Sequence, residues 1–152
     1  GMRRKDRELT IEKAKEILKD GNYGILSTVG EDAFPYGVPL SYAYEKEQII
    51  FHCVKETGKK LDGMRYNEKV CFTVVGVTKV LPDKFATNYE SVIVQGRVKF
   101  LTGKEKYDAL YALVKKYSPE YLEEGRAYIE KATDAVDVGA IVIESMTGKA
   151  RY

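Results

Sequence analysis

The residues best placed to do chemistry share one window, Phe51-His52-Cys53-Val54-Lys55-Glu56-Thr57-Gly58-Lys59-Lys60-Leu61. An extended segment ends there, a glycine follows, and two lysines stand in the first turn of a short predicted helix. A helix start presents unpaired N–H groups and a partial positive charge, which favours an anion and disfavours lysine. A bound phosphate would resolve that conflict; the alternative is two solvated lysines on a short helix. The window is not a Walker A loop, which needs glycine where Cys53 stands and Ser or Thr where Lys60 stands. No GxGxxG dinucleotide fingerprint occurs either.

His52 is the only histidine in the chain. Any Ser-His-Asp or Cys-His scheme therefore has one possible base, and a multi-histidine metal site within one chain is excluded. In its apolar strand His52 reads either as a hydrogen-bonded structural residue or as that base. Cys53 and Cys71 have neither CxxC nor zinc-ribbon spacing and read as reduced, buried thiols. The carboxylates are scattered over helical polar faces without a glycosidase-type pair. Side chains alone provision catalysis poorly, which points to a borrowed cofactor or to no catalysis.

The elements that must hold these groups fit into 152 residues, the length of one domain spanning 1–152 with a core that needs no staple. Gly1 before Met2 reads as a residue left by tag cleavage. With 25 basic against 23 acidic residues the net charge is +2, which supports neither a nucleic-acid partner nor a polybasic membrane anchor. No apolar run approaches a membrane span, so the expectation is a soluble cytoplasmic protein.

Thr10 caps a predicted helix over 11–20, and Gly21 stops it. Extended segments follow over 23–29, 36–44 and 48–54, joined by turns, as in an antiparallel meander. A short helix runs from Thr57 to about Asn67. The segment 69–77 is nearly all apolar and reads as a strand covered on both faces. Over 91–101, Val92, Val94, Gly96, Val98 and Phe100 alternate with polar residues. Helices are predicted over 103–117 and, opened by Ser118-Pro119-Glu120, to about Lys131. A last strand, 139–144, leads into a tail. About six strands, mostly consecutive, with four helices predict a mainly β fold, an antiparallel barrel with peripheral helices.

Read together, several segments resemble the pyridoxamine 5'-phosphate oxidase-like FMN-binding split-barrel family, nearest to its 5-nitroimidazole-resistance (Nim-type) branch. They are Met2-Arg3-Arg4-Lys5-Asp6-Arg7-Glu8, Tyr23-Gly24-Ile25-Leu26-Ser27-Thr28-Val29, Phe34-Pro35-Tyr36-Gly37-Val38-Pro39-Leu40-Ser41-Tyr42, Ile50-Phe51-His52-Cys53 with Gly58-Lys59-Lys60, Lys69-Val70-Cys71-Phe72-Thr73-Val74-Val75 and Thr147-Gly148-Lys149-Ala150-Arg151. The resemblance implies a six-stranded antiparallel split β-barrel, a homodimer, and FMN in clefts at the subunit interface. It places Ser27, Thr28, Pro39, Leu40, Ser41 and Tyr42 along the flavin. It carries His52, Cys53 and Val54 toward the phosphate, with Lys59 and Lys60 as its ligands. Ser91 and Val92 would touch the ring or ribityl chain, and Lys149 and Arg151 would reach the partner's flavin. Many Nim-type relatives carry His where Lys59 stands, which makes Lys60 the firmer phosphate ligand. Pyridoxamine phosphate oxidation itself is not implied, since that enzyme's arginine-rich strand and C-terminal Arg/Trp signature are missing and the chain has no Trp. The implied activity is reduction of nitro or quinone-like acceptors with reduced nicotinamide, with His52 as the catalytic candidate. The alternatives are a flavin store or sensor, or a haem-binding barrel ligated by His52.

Overall fold

The computed structural model describes residues 3–55 and 58–152. Gly1, Met2, Glu56 and Thr57 lie outside the described residues, and the expected helix start at Thr57 falls among them. Four α-helices accompany one antiparallel sheet: α1 (Ile11–Asp20), β1 (Gly24–Val29), β2 (Pro35–Leu40), β3 (Ala43–Glu45), β4 (Gln48–Val54), α2 (Gly58–Tyr66), β5 (Lys69–Leu81), β6 (Ala86–Phe100), α3 (Gly103–Tyr117), α4 (Leu122–Ala132) and β7 (Val136–Arg151). The sheet order is β2-β1-β5-β6-β7-β4-β3, so its two outermost strands are consecutive in the chain. Only Ser41 and Tyr42 join these two edges, which wraps the sheet back on itself.

The sheet has seven strands, not six. The segment expected as one strand over 36–44 divides because Tyr42 turns inward and its backbone groups are claimed by α3. Its N–H donates to the Tyr117 hydroxyl at 3.0 Å, and its carbonyl accepts from Lys116 Nζ at 2.9 Å. The Tyr42 phenol is buried and donates to the Leu18 carbonyl at 2.5 Å. A residue held on all sides in this way cannot take part in a ladder. Pro35 and Pro39 both fit β2 because it is an edge strand, where a missing N–H leaves no partner stranded.

Local signals set several boundaries. The Thr10 hydroxyl accepts from the Lys13 N–H at 3.2 Å and opens α1. Lys46 and Glu47, both at positive φ, form the two-residue turn between β3 and β4. The fourth helix starts later than Ser118-Pro119-Glu120 suggested. Those residues close a turn, with the Tyr121 N–H donating to the Ser118 carbonyl at 3.0 Å, and the helix begins at Leu122.

Two apolar clusters lie on opposite faces of the sheet. Leu18, Leu26, Tyr42, Phe51, Phe72, Val92 and Val94 fill the interior, whereas Ile50, Leu110, Leu113, Ile129, Val138 and Ala140 pack the outer side under α3 and α4. Strand β4 therefore feeds both clusters, Phe51 inward and Ile50 outward.

β5 and β6 run well past the segments 69–77 and 91–101. They extend as a two-stranded arm to a 3-10 turn at Pro82–Lys84, pairing Thr78 with Tyr89 and Leu81 with Ala86. The expectation that both faces of β5 are covered is corrected: Val75 and Val77 are exposed. The interior face (Val70, Phe72, Val74) is filled, whereas on the other face Cys71 and Thr73 are only partly covered and Val75 and Val77 are exposed. The expected tail after residue 144 is also strand, because β7 continues along β6 to the Tyr89–Arg151 pair. No described helix is long and apolar enough to cross a membrane.

Candidate functional site

Strand alternation decides where the window's side chains go. Phe51 and Cys53 point inward and are buried, while His52 and Val54 are exposed on the other face. Burial pushes the Cys53 thiol above its usual range and Lys60 only partly offsets this, so Cys53 is a poor nucleophile. Ser41, at the corner after β2, and His52 line one cleft of about 710 Å³. Leu110, Leu113, Val114 and Tyr117 of α3 and Tyr128 and Ile129 of α4 form its apolar wall, and Glu124 is its one carboxylate.

Desolvation lowers the His52 pKa from its ordinary value, and the Lys60 ammonium lowers it further. The imidazole is thus neutral at pH 7, able to donate one hydrogen bond and accept another. Below the unfolded value of about 6.5 the unfolded chain takes the proton first, so stability falls as pH drops through the window just under 6.5. As the chain has one histidine, its single imidazole proton resonance reports the titration directly. The expected midpoint lies below 6.5 by NMR; a midpoint above it would show that the desolvation argument is wrong.

The two lysines at the start of α2 are not equivalent. Lys59 Nζ lies 2.9 Å from Asp32 and 5.5 Å from the centre of the Tyr36 ring. The Asp32 carboxyl is held below its usual range by that lysine, with the Phe34 N–H adding to the effect. Lys59 is thus paired with a carboxylate of the same chain, which a phosphate at this helix start would have to displace. Lys60 is half-buried and has no ion pair among the described residues. Its charge reaches both His52 and Cys53.

The remaining expected residues separate into three groups. Ser27, Gly37 and Pro39 share the outer face of β1 and β2, since Ser27 pairs with Gly37 and Ile25 with Pro39. Ser41, which follows β2, is also exposed, and the Ile25 side chain lies on the same face against Gly37. Leu40 leans inward, and Tyr42 and Val92 are core residues with no exposed side chain, so neither side chain can line an outer groove. Ser91 pairs with Lys149, and Arg151 donates to Asn88 at 2.7 Å. His52 pairs with Val138 near the other end of β7, roughly 35 Å along the strand from Lys149. One chain therefore joins Ser41, His52, Val54 and Lys60, and leaves Ser91, Lys149 and Arg151 apart.

Thr28 points inward against Gly63 of α2, where its hydroxyl is buried without a partner among the described residues. It borders a cavity of about 280 Å³ with Asp32, Tyr36, Lys59 and Asp62, separate from the His52 cleft. Thr28→Val is expected to raise stability by about 1 kcal/mol in urea denaturation, because an unpaired buried hydroxyl is replaced by a methyl of the same shape. It is also expected to leave flavin affinity unchanged; a weakened flavin would restore Thr28 to the binding set.

Three contributors were not anticipated. Tyr121, just before α4, and Tyr128, on it, line the cleft seven residues apart, a spacing visible in the sequence but without meaning until the helix is placed. Lys116, besides holding the Tyr42 carbonyl, donates to that of Gly21 and sits 3.9 Å from the Tyr42 ring centre. Burial lowers its pKa to about 8, with Asp20 pulling it upward. No group of three or more His, Cys, Asp or Glu able to hold a metal occurs among the described residues.

The fold and site define a class: an antiparallel β fold, wrapped on itself, with a helix-backed apolar cleft on its outer face. The profile of the pyridoxamine 5'-phosphate oxidase family matches residues 10–150, and the chain belongs to that family. No curated protein sequence matches. Among solved structures, a candidate 5-nitroimidazole antibiotic resistance protein from Bacteroides thetaiotaomicron is similar at 23% identity and a TM-score of 0.80, over 94% of this chain and 86% of that one. The flavocytochrome Anf3 from Azotobacter vinelandii is similar at 20% identity and a TM-score of 0.84, over 100% and 72%. A FAD- and heme-binding protein from Mycobacterium smegmatis is similar at 17% and 0.83, over 95% and 73%. At such identities these likenesses establish the shared fold.

Proposed function

We propose that this protein is a flavin-dependent oxidoreductase that binds FMN in a split barrel and acts on small nitro or quinone-like acceptors with reduced nicotinamide. The observation that carries the reading is Lys60, a half-buried cation without an ion pair among the described residues, at the start of α2 and beside His52. A phosphate there would satisfy both that cation, unpaired among the described residues, and the helix start. Gly37, Pro39 and Ser41 are exposed beside the apolar cleft, where a planar ring would lie. The residues present therefore fit a flavin mononucleotide. A flavocytochrome and a FAD- and heme-binding protein of the same fold support a flavin, and the choice of FMN rests on the phosphate-sized anion that Lys60 would accept.

When bound, FMN supplies hydride chemistry that the side chains lack. Lys60 would hold its phosphate, with Lys59 following if it leaves Asp32. Ser41 would orient the ring edge by hydrogen bonding. Neutral His52 would donate a hydrogen bond to the acceptor. The family resemblance and the separation of Lys149 and Arg151 from His52 support a homodimer with the flavin at the interface. The free thiols of Cys53 and Cys71 fit a cytoplasmic setting.

An absorption spectrum of the purified protein, with and without added FMN, tests the reading. Bound flavin bands and a thermal shift with FMN are expected; a colourless protein showing no shift in excess FMN would defeat it. A haem-type spectrum would instead assign His52 as an iron ligand. Flavin binding without turnover of NADH or NADPH against a panel of acceptors would leave a flavin store or sensor.

A further inference from the structure

The arm formed by the ends of β5 and β6 ends in side chains that their own chain leaves bare. Val77 is 74%, Val80 67% and Phe85 97% exposed. Phe85 sits at φ 50, a left-handed conformation that non-glycine residues seldom hold. Isolated two-stranded ribbons are only marginally stable in water, so an apolar arm of this kind needs a surface to lie against. Tyr121 and Tyr128, at the mouth of the cleft between α3 and α4, are also exposed, at 61% and 68%.

Arm and cleft match in charge. The tip carries Lys79 and Lys84 with one acid, Asp83, while Glu120, Glu123 and Glu124 cluster at the start of α4. They also match in position. Tyr89, near the base of the arm, pairs with Arg151 at the end of β7, whereas Val136, which lines the cleft, begins that strand. Arm and cleft thus lie at opposite ends of one ladder. Two copies packed antiparallel through their β5–β6 faces, where Val75 and Ile93 are exposed, would each bring an arm to the other's cleft.

We propose that the α3–α4 cleft is closed by the arm of a second copy of this chain, with Phe85 set between Tyr121 and Tyr128 and Lys84 facing Glu124. The placement rests on the homodimer proposed above and adds a residue of the second copy to the rim of the flavin groove.

The test places p-benzoyl-phenylalanine in the full-length chain instead of Phe85 and mixes this protein with isotopically labelled wild type before irradiation. Mass spectrometry is expected to find cross-links between unlike copies, ending on residues 113–128. Cross-links within one copy, cross-links to the outer sheet face, or none at all from a dimeric sample would overturn the placement. A wild type that sediments as a monomer would overturn the homodimer and the placement together, whereas a dimer cross-linked elsewhere would spare the homodimer. Phe85→Ser is expected to weaken dimerisation by roughly 10- to 100-fold in sedimentation, as loss of a buried aromatic anchor does. An unchanged dimerisation constant would count against the placement.

Discussion

Lys60→Ala is expected to weaken FMN binding by roughly 10- to 100-fold while changing riboflavin binding by less than about threefold. A hydrogen bond between charged groups contributes about 1.5–3 kcal/mol, and each 1.4 kcal/mol is a factor of ten. The two ligands share a ring and differ by the phosphate, so the comparison isolates what Lys60 does. Two observations make Lys60 the decisive cation. It has no carboxylate partner among the described residues, and its charge acts on His52 and Cys53 at the end of β4. Lys59→Ala should weaken FMN less, because Lys59 must first leave Asp32, 2.9 Å away. Fluorescence titration with both flavins decides the matter. Equal losses for FMN and riboflavin, or no loss for either, would remove the phosphate from this helix start. Lys60→Ala should also raise the His52 titration midpoint, since a repelling positive charge is gone.

The largest effect on stability is expected from Phe72→Ala, a loss of about 3–5 kcal/mol in urea denaturation. Against a total of about 5–15 kcal/mol for a domain, that loss leaves the variant partly unfolded or close to it. Phe72 is fully buried near the start of β5, where that strand pairs with β1 on one side and β6 on the other. Its ring meets the Tyr42 ring edge-on, 4.9 Å between centres at 73°. The space cannot collapse easily. Tyr42 is anchored through its hydroxyl to Leu18 and through its backbone to Tyr117, and Gly24 brings β1 directly against the ring. Phe72→Leu should recover most of the loss, because it restores most of the volume. A loss below about 1 kcal/mol for Phe72→Ala would mean that the interior repacks freely.

This core also sets where the candidate site's side chains stand. Tyr42 fills the interior with its side chain while its neighbour Ser41 borders the outer cleft. The α3 residues that hold the Tyr42 backbone include Tyr117, itself a cleft wall. Packing inside the sheet thereby fixes the geometry of a groove outside it.

Some features were legible because their signals are local. Thr10 and Gly21 bounded the first helix, and the apolar spacing over 103–117 marked the third. Alternation located 48–54, and the ordered motifs from Tyr23 to Arg151 identified the family. The lysine pair after Gly58 also pointed correctly to a helix start. Other features were hidden because they depend on what distant segments do. Alternation shows that His52 and Cys53 face opposite ways, but both sides of β4 meet apolar clusters, so hydrophobicity alone could not say which side is the interior. The break between β2 and β3 arises from two residues of α3, distant in sequence, that occupy the Tyr42 backbone. Lys59 and Lys60 are the same residue type in adjacent positions, and only the approach of Asp32 tells them apart.

The lysine-rich window after His52 and the family pattern can be read from residue types and short spacings, because helix starts and strand alternation are properties of neighbouring residues. The tertiary structure alone decided that Ser41, His52, Val54 and Lys60 share one end of β7 while Ser91, Lys149 and Arg151 occupy the other. Strand register over so long a ladder is the sum of many cross-strand pairings, and no single segment contains it.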